Sequence, residues 1–96
     1  MTDAQAQEIA AGVLLWLCAD EELLGVFLAA TGAAPEELRA GLSHGDIDPG
    51  LAAAALDFTM MRDDTVLAAA DAQGIAPDRL AMAAQLLAGA GGMHWT

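Results

Sequence analysis

Hydrophobic side chains recur along this chain at intervals of three and four residues, the spacing of one face of an α-helix. Six such stretches are separated by residues that typically begin or end helices. No stretch alternates with a period of two over β-branched residues, so the pattern predicts no β-sheet. The predicted fold class is therefore all-α, a compact bundle of five or six short helices.

The first half of the chain contains three predicted helices. Thr2 and Gln5 form the sequence of a capping box, and the helix they begin runs to about Cys18. Asp20 is placed to cap a second helix, and Pro35 falls in the first turn of a short third helix. The residues predicted to face inward are Ile9, Val13, Leu14, Trp16, Leu17 and Cys18, then Leu23, Leu24, Phe27, Leu28 and Thr31, then Leu38 and Leu42.

The second half contains three more predicted helices. A loop over residues 43–48 leads to Asp48 and Pro49, a cap and first-turn pair that begins the fourth helix. Asp63 or Asp64 is placed to cap the fifth. The residues predicted to face inward are Leu51, Ala54, Ala55, Phe58 and Met61, then Val66, Leu67 and Ala70, then Leu80, Ala83, Ala84 and Leu87.

A similar unit occurs twice at an offset of 42 residues, since residues 14–40 align with residues 56–82 without a gap. Each copy has an acidic doublet followed by Gly-x-Ala-Pro-x-x-Leu, in which Gly32 or Gly74 ends one helix and Pro35 or Pro77 begins the next. Alanine supplies 24 of the 96 residues and makes chance matches common. A true duplication and a coincidence of helix-boundary signals are both consistent with this alignment. Either way, two pseudo-repeated helical halves are expected to pack as a single domain over residues 1–88, with a glycine-rich tail over residues 89–96.

The chain carries a formal charge of −11, from 14 acidic residues against three arginines. Phosphate backbones and anionic lipids need a cationic patch, so nucleic-acid and membrane-surface binding are not expected. Cys18 is the sole cysteine, which excludes an internal disulfide and favours a reducing compartment. The apolar run over residues 9–19 is too short to span a bilayer and is preceded by acidic residues, so a cytoplasmic location is expected.

Most of the acidic residues fall at predicted helix starts, where carboxylates are favoured by the unpaired backbone N–H groups and the helix dipole. Glu8, Asp57 and Asp71 lie mid-helix instead. Asp57 stands between Leu56 and Phe58, where it is either a solvated side chain or a buried acid with a raised pKa. We expect the solvated arrangement.

The sequence contains few candidates for chemistry. Residues 44–48 alternate potential ligands, but Pro49 and Ala55 stand where a calcium loop requires Gly and Glu, so no metal or cofactor is expected. Cys18 with His44 or His94 could form a nucleophilic pair, although no sequence spacing supports it. In the tail, Met93, His94 and Trp95 form a candidate docking segment, because a tryptophan buries a large area when it docks on its own domain or on a partner.

Several of these residues resemble a known family. The chain is similar to alphaproteobacterial domain-of-unknown-function family 3572 in three places: from Trp16 to Leu24, from Phe27 to Arg39, and at Leu56-Asp57-Phe58 with Asp63-Asp64. Ala34 departs from the Asp expected before the proline. The resemblance implies a cytoplasmic helical fold and carries no assigned activity.

Two classes of function fit these observations. The first is a non-enzymatic protein-interaction module with an acidic rim around an Ala/Leu groove, whose partner is another protein or a second copy of the chain. The alternative is a small enzyme or metal-binding protein that uses Asp57, Cys18, His44 or His94. A structural subunit of a larger assembly is a third class.

Overall fold

The computed structural model describes residues 1–45 and 47–92, the last four of them by their backbone alone. The predicted all-α fold class is confirmed. Six helices follow one another, and no strand occurs in the part of the chain described. They are α1 (Asp3–Cys18), α2 (Glu21–Thr31), α3 (Pro35–His44), α4 (Pro49–Met60), α5 (Asp63–Gln73) and α6 (Pro77–Gly92).

Local signals set most helix boundaries. Thr2 and Gln5 form both hydrogen bonds of the capping box of α1. The Asp20 carboxylate accepts from the N–H groups of the first turn of α2, and Asp48 does the same for α4. Gly32 and Gly74 end α2 and α5 with φ of 74° and 68°, a left-handed conformation that costs glycine little.

The 42-residue offset of the sequence is also an offset of the structure. Residues 21–31 form α2 and residues 63–73 form α5, while α3 and α6 begin at Pro35 and Pro77. Burial repeats as well. The equivalent pairs that are at most 2% exposed are Ala10/Ala52, Val13/Ala55, Leu14/Leu56, Leu17/Thr59, Phe27/Ala69 and Leu38/Leu80. The two halves therefore share the glycines that end α2 and α5, the prolines that begin α3 and α6, and these inward positions.

The core lies where α1, α4 and α6 pack on one another. All four residues predicted to face inward from α6, from Leu80 to Leu87, are buried. Phe27 of α2 packs edge-to-face on Phe58 of α4, with ring centroids 5.4 Å apart. The third helix breaks the repeat, because α3 makes no comparably extensive contact with another described helix, whereas its equivalent α6 packs on both α1 and α4.

Several expectations about α4 and α5 were wrong. Met61 is 76% exposed at the end of α4, and Leu67 on α5 is 58% exposed. The buried face of α4 is formed by Ala55, as predicted, together with Ala52, Leu56 and Thr59. Small residues let α4 approach both α1 and α6, so its alanines face inward although they carry a weak hydrophobic signal.

The boundary of α5 also differs from the prediction. Neither Asp63 nor Asp64 is the N-cap, because both lie in the first turn and Arg62 precedes them. Asp64 instead pairs with Arg62 at 2.7 Å. The hydroxyl of Thr65 lies 2.6 Å from Thr59 O and 2.8 Å from Arg62 O, so it links the end of α4 to the start of α5.

Thr31 is exposed rather than inward-facing, and its hydroxyl donates to Phe27 O in its own helix. The α3 helix runs to His44 and ends at Gly45, so the loop begins later than Ser43. Residues 89–92 are helical and belong to α6, where the sequence suggested a glycine-rich tail. Glycine in a helix costs only about 1 kcal/mol relative to alanine, so it does not by itself end one.

Candidate functional site

The carboxylates lie on the outside of the molecule. Every acidic residue whose side chain is described is exposed, including Asp57, which is therefore the solvated side chain that was expected. Asp46 lies outside the described residues. Among the described residues, no three His, Cys, Asp or Glu side chains come together in a group that could hold a metal ion.

Cys18 lies half-buried at the end of α1, beside a small cavity of about 320 Å³. The cavity is bounded by Leu24, Leu38 and Leu42, with Arg39 among its lining residues. Burial raises the pKa of the Cys18 thiol above its ordinary value, and the Arg39 guanidinium offsets part of that rise. The thiol is therefore protonated near neutral pH, whereas a nucleophilic cysteine needs a lowered pKa.

The alternative of a nucleophilic pair between Cys18 and His44 has no support among the described residues. Cys18 borders the small cavity, and His44 lines a different cleft on the other side of α3. His94 lies outside the described residues, as do Met93 and Trp95 of the candidate docking segment. Asp57, Cys18 and His44 thus belong to separate local environments.

An open cleft of about 740 Å³ lies between α3 and the start of α4. We call it the α3/α4 cleft. Its walls consist mainly of small and apolar residues, and two carboxylates and one imidazole add polar groups. The lining residues are Thr31, Ala33, Glu37, Ala40, Gly41, His44, Asp48, Gly50, Leu51 and Ala54.

The local fold fixes the polar groups of the α3/α4 cleft. Asp48 caps α4, and its carboxylate accepts from Leu51 N at 3.2 Å. His44 ends α3, and its Nδ1 lies 2.8 Å from Ala40 O, so the neutral ring carries its proton on Nδ1. Glu37 is exposed in the first turn of α3. None of the three arginines lines this cleft, so its electrostatic potential is negative.

Sequence reasoning did not locate this cleft, although a signal for it was present. At the offset of 42, Gly41 and His44 of α3 correspond to Ala83 and Leu86 of α6. The third helix is thus shorter and more polar than its counterpart. That difference indicates a helix that is less able to pack against the core.

Comparison with curated proteins and with solved structures gave no significant match. A family model described as "Protein of unknown function" matches residues 3–90, which include all of α1 to α5 and most of α6. The chain therefore belongs to the family of proteins of unknown function DUF3572.

No helix in the described part of the chain combines the length and the apolar character needed to cross a membrane.

Proposed function

We propose that this protein is a non-enzymatic protein-interaction module of the cytoplasm, and that the α3/α4 cleft is its binding surface. The observation that carries the proposal is the cleft itself. It is open, it has a volume of about 740 Å³, and it combines apolar walls with the carboxylates of Glu37 and Asp48 and the imidazole of His44. Binding surfaces for protein segments commonly have this composition.

The charge distribution supports a protein partner. The described carboxylates all face solvent, and the net charge is −11. Such a surface attracts cationic partners at long range and repels nucleic acids and anionic lipids. A partner that offers apolar side chains next to basic ones would match both the walls and the rim of the cleft.

Exposed apolar side chains provide a further contact area. Leu15, Val26 and Leu67 are each more than half exposed, as is Met61. Single exposed apolar residues are common on protein surfaces, so they add to the proposal only as the surroundings of a binding site. Self-association through such residues is an alternative outcome, which the oligomeric state reveals.

The proposal is tested by affinity capture from the native cell with a matched pair of variants. Ala40→Arg places a long cation in the cleft, while Ala29→Arg makes the same change on α2, at an exposed position that does not line the cleft. We expect one protein to be retained in stoichiometric amount by the wild type and by Ala29→Arg, and to be lost with Ala40→Arg.

Sedimentation of the purified protein is measured in parallel. A concentration-dependent dimer that Ala40→Arg disrupts identifies the partner as a second copy of this chain. The proposal fails if no protein is retained and the chain stays monomeric, or if Ala40→Arg retains the same protein as the wild type does.

A further inference from the structure

The α3/α4 cleft has a counterpart in the other half of the molecule. A smaller cavity of about 370 Å³ lies between α1 and the α5–α6 connection, and we call it the α1/α6 cleft. Its lining residues are Gln5, Glu8, Ile9, Gln73, Ile75 and Arg79. All of them except Gln5 correspond, at an offset of 42, to lining residues of the larger cleft. The equivalent pairs are Glu8/Gly50, Ile9/Leu51, Gln73/Thr31, Ile75/Ala33 and Arg79/Glu37. The two clefts are therefore equivalent sites of one repeated architecture.

In the α1/α6 cleft, the chain supplies its own occupant. The Gln73 side chain reaches from α5 to α1, where its Nε2 donates to Ile9 O at 3.2 Å. It lies directly against Gly12, and a Cβ at that position would overlap Gln73 Oε1. Arg79 lines the same cleft as Glu8 and adds a cation to it.

In the α3/α4 cleft, the equivalent positions leave the space open. Thr31 replaces Gln73, and its hydroxyl donates to Phe27 O at 2.9 Å, within its own helix. Ala54 replaces Gly12, and Glu37 replaces Arg79. The α3/α4 cleft thus lacks the planar N–H donor and the cation of the α1/α6 cleft. Glu37 and Asp48 give it a negative lining, and its volume is twice as large.

From this difference we infer that the α3/α4 cleft binds an arginine side chain of a partner protein. A guanidinium combines the planar N–H donors of Gln73 with the positive charge of Arg79, and it pairs with carboxylates in a bidentate geometry that an ammonium does not offer. Glu37 and Asp48 are the carboxylates for this contact, and Leu51 O is the equivalent of the Ile9 carbonyl. The aliphatic stem of the arginine packs on Ala40 and Ala54. This inference rests on the proposed function, since it specifies the partner at the same surface.

The test is an NMR titration of the ¹⁵N-labelled protein with a blocked Leu-Ala-Arg-Ala-Leu peptide at about 150 mM salt, where long-range attraction is screened. Two matched peptides carry citrulline or lysine in place of arginine. We expect saturable shifts in the amides of α3 and of the first two turns of α4, with the arginine peptide binding about threefold or more tightly than either control.

Variants locate the contact. Glu37→Gln is expected to weaken binding about threefold, while Glu36→Gln, an exposed acid outside the cleft, leaves binding unchanged. The double variant Thr31→Gln/Ala54→Gly reproduces the occupied cleft of the other half and is expected to abolish binding. Circular dichroism of each variant verifies that the helical fold is retained.

Three results would overturn the inference: equal binding of the citrulline or lysine peptide, shifts spread over the whole acidic surface, or full binding by Glu37→Gln. If the arginine peptide does not bind while Ala40→Arg still abolishes affinity capture, the inference about arginine is wrong and the proposed interaction surface is retained. If capture fails as well, both proposals are wrong.

Discussion

At the scale of single residues, burial changes the acid–base behaviour of Cys18. The thiolate is disfavoured in the half-buried site at the end of α1, so the pKa of the thiol is raised. The chain has no lysine and no tyrosine, the other side chains that ordinarily lose a proton in the moderately alkaline range. Cys18 is therefore the side chain expected to lose a proton as the pH rises above the ordinary cysteine pKa of about 8.5.

We expect the free energy of unfolding to fall as the pH rises through this range. Below the pKa of the unfolded cysteine both states hold the proton. Above it the unfolded chain releases the proton first, and stability falls until the pH passes the higher pKa of the folded state. Urea unfolding of the wild type and of Cys18→Ala between about pH 8 and pH 11 measures the effect. Parallel pH profiles for the two proteins would contradict it.

At the scale of the helix, the N-termini differ in how well they are capped. Side chains of Thr2, Asp20 and Asp48 accept hydrogen bonds from the first turns of α1, α2 and α4. The N-caps of α3 and α5 are Ala34 and Arg62, neither of which makes a side-chain cap bond. Since α3 also makes few contacts with the other helices, it depends strongly on its own end signals.

Replacing Ala34 with a capping residue is expected to stabilise the protein. Ala34→Asp and Ala34→Asn should each raise the free energy of unfolding by about 1 kcal/mol, and Asp20→Ala should lower it by a similar amount. The asparagine variant separates capping from the added negative charge, and Asp71→Ala is the matched control for the lost charge of Asp20. Urea unfolding gives all four values. No gain from either substitution at Ala34 would show that α3 does not unfold with the rest of the molecule.

At the scale of the whole molecule, one side-chain hydrogen bond links two helices that are far apart in sequence, α5 and α1. Gln73 donates across 64 positions of sequence to the backbone of α1, and Gly12 provides the room for its side chain. The same contact has no counterpart between Thr31 and Ala54. The halves are thus alike in their helices and different in how those helices are joined.

This contact predicts a non-additive pair of substitutions. Gln73→Ala should lower the free energy of unfolding by about 1 kcal/mol through the lost hydrogen bond. Gly12→Ala alone should change stability little, because its helical gain of about 1 kcal/mol is offset by displacement of Gln73. In the Gln73→Ala background the same change should stabilise by about 1 kcal/mol. A double-mutant cycle measured in urea supplies the coupling energy, and strictly additive effects would disprove the contact.

Local sequence signals were sufficient to predict the helices and the outward position of the acids, including Asp57. These features depend on interactions within a few residues: Asp20 bonds to its own first turn, and Gly32 adopts its own left-handed conformation. The repeat was also visible in the sequence, because the glycines that end α2 and α5 and the prolines that begin α3 and α6 recur at the offset of 42. Local chemistry is sufficient for such features because it does not depend on where other helices lie.

The choice of buried helix faces and the position of the α3/α4 cleft depended on how the helices pack together. Met61 and Leu67 point outward although both are hydrophobic, and Thr59 is buried although it is polar. Alanine-rich helix faces are only weakly distinguished by hydrophobicity from the other faces. The close packing of α1, α4 and α6 therefore depends on the complementary shapes of the helix surfaces rather than on the hydrophobic pattern of the sequence. The α3/α4 cleft has the same origin, because it exists where α3 fails to reproduce the packing of α6.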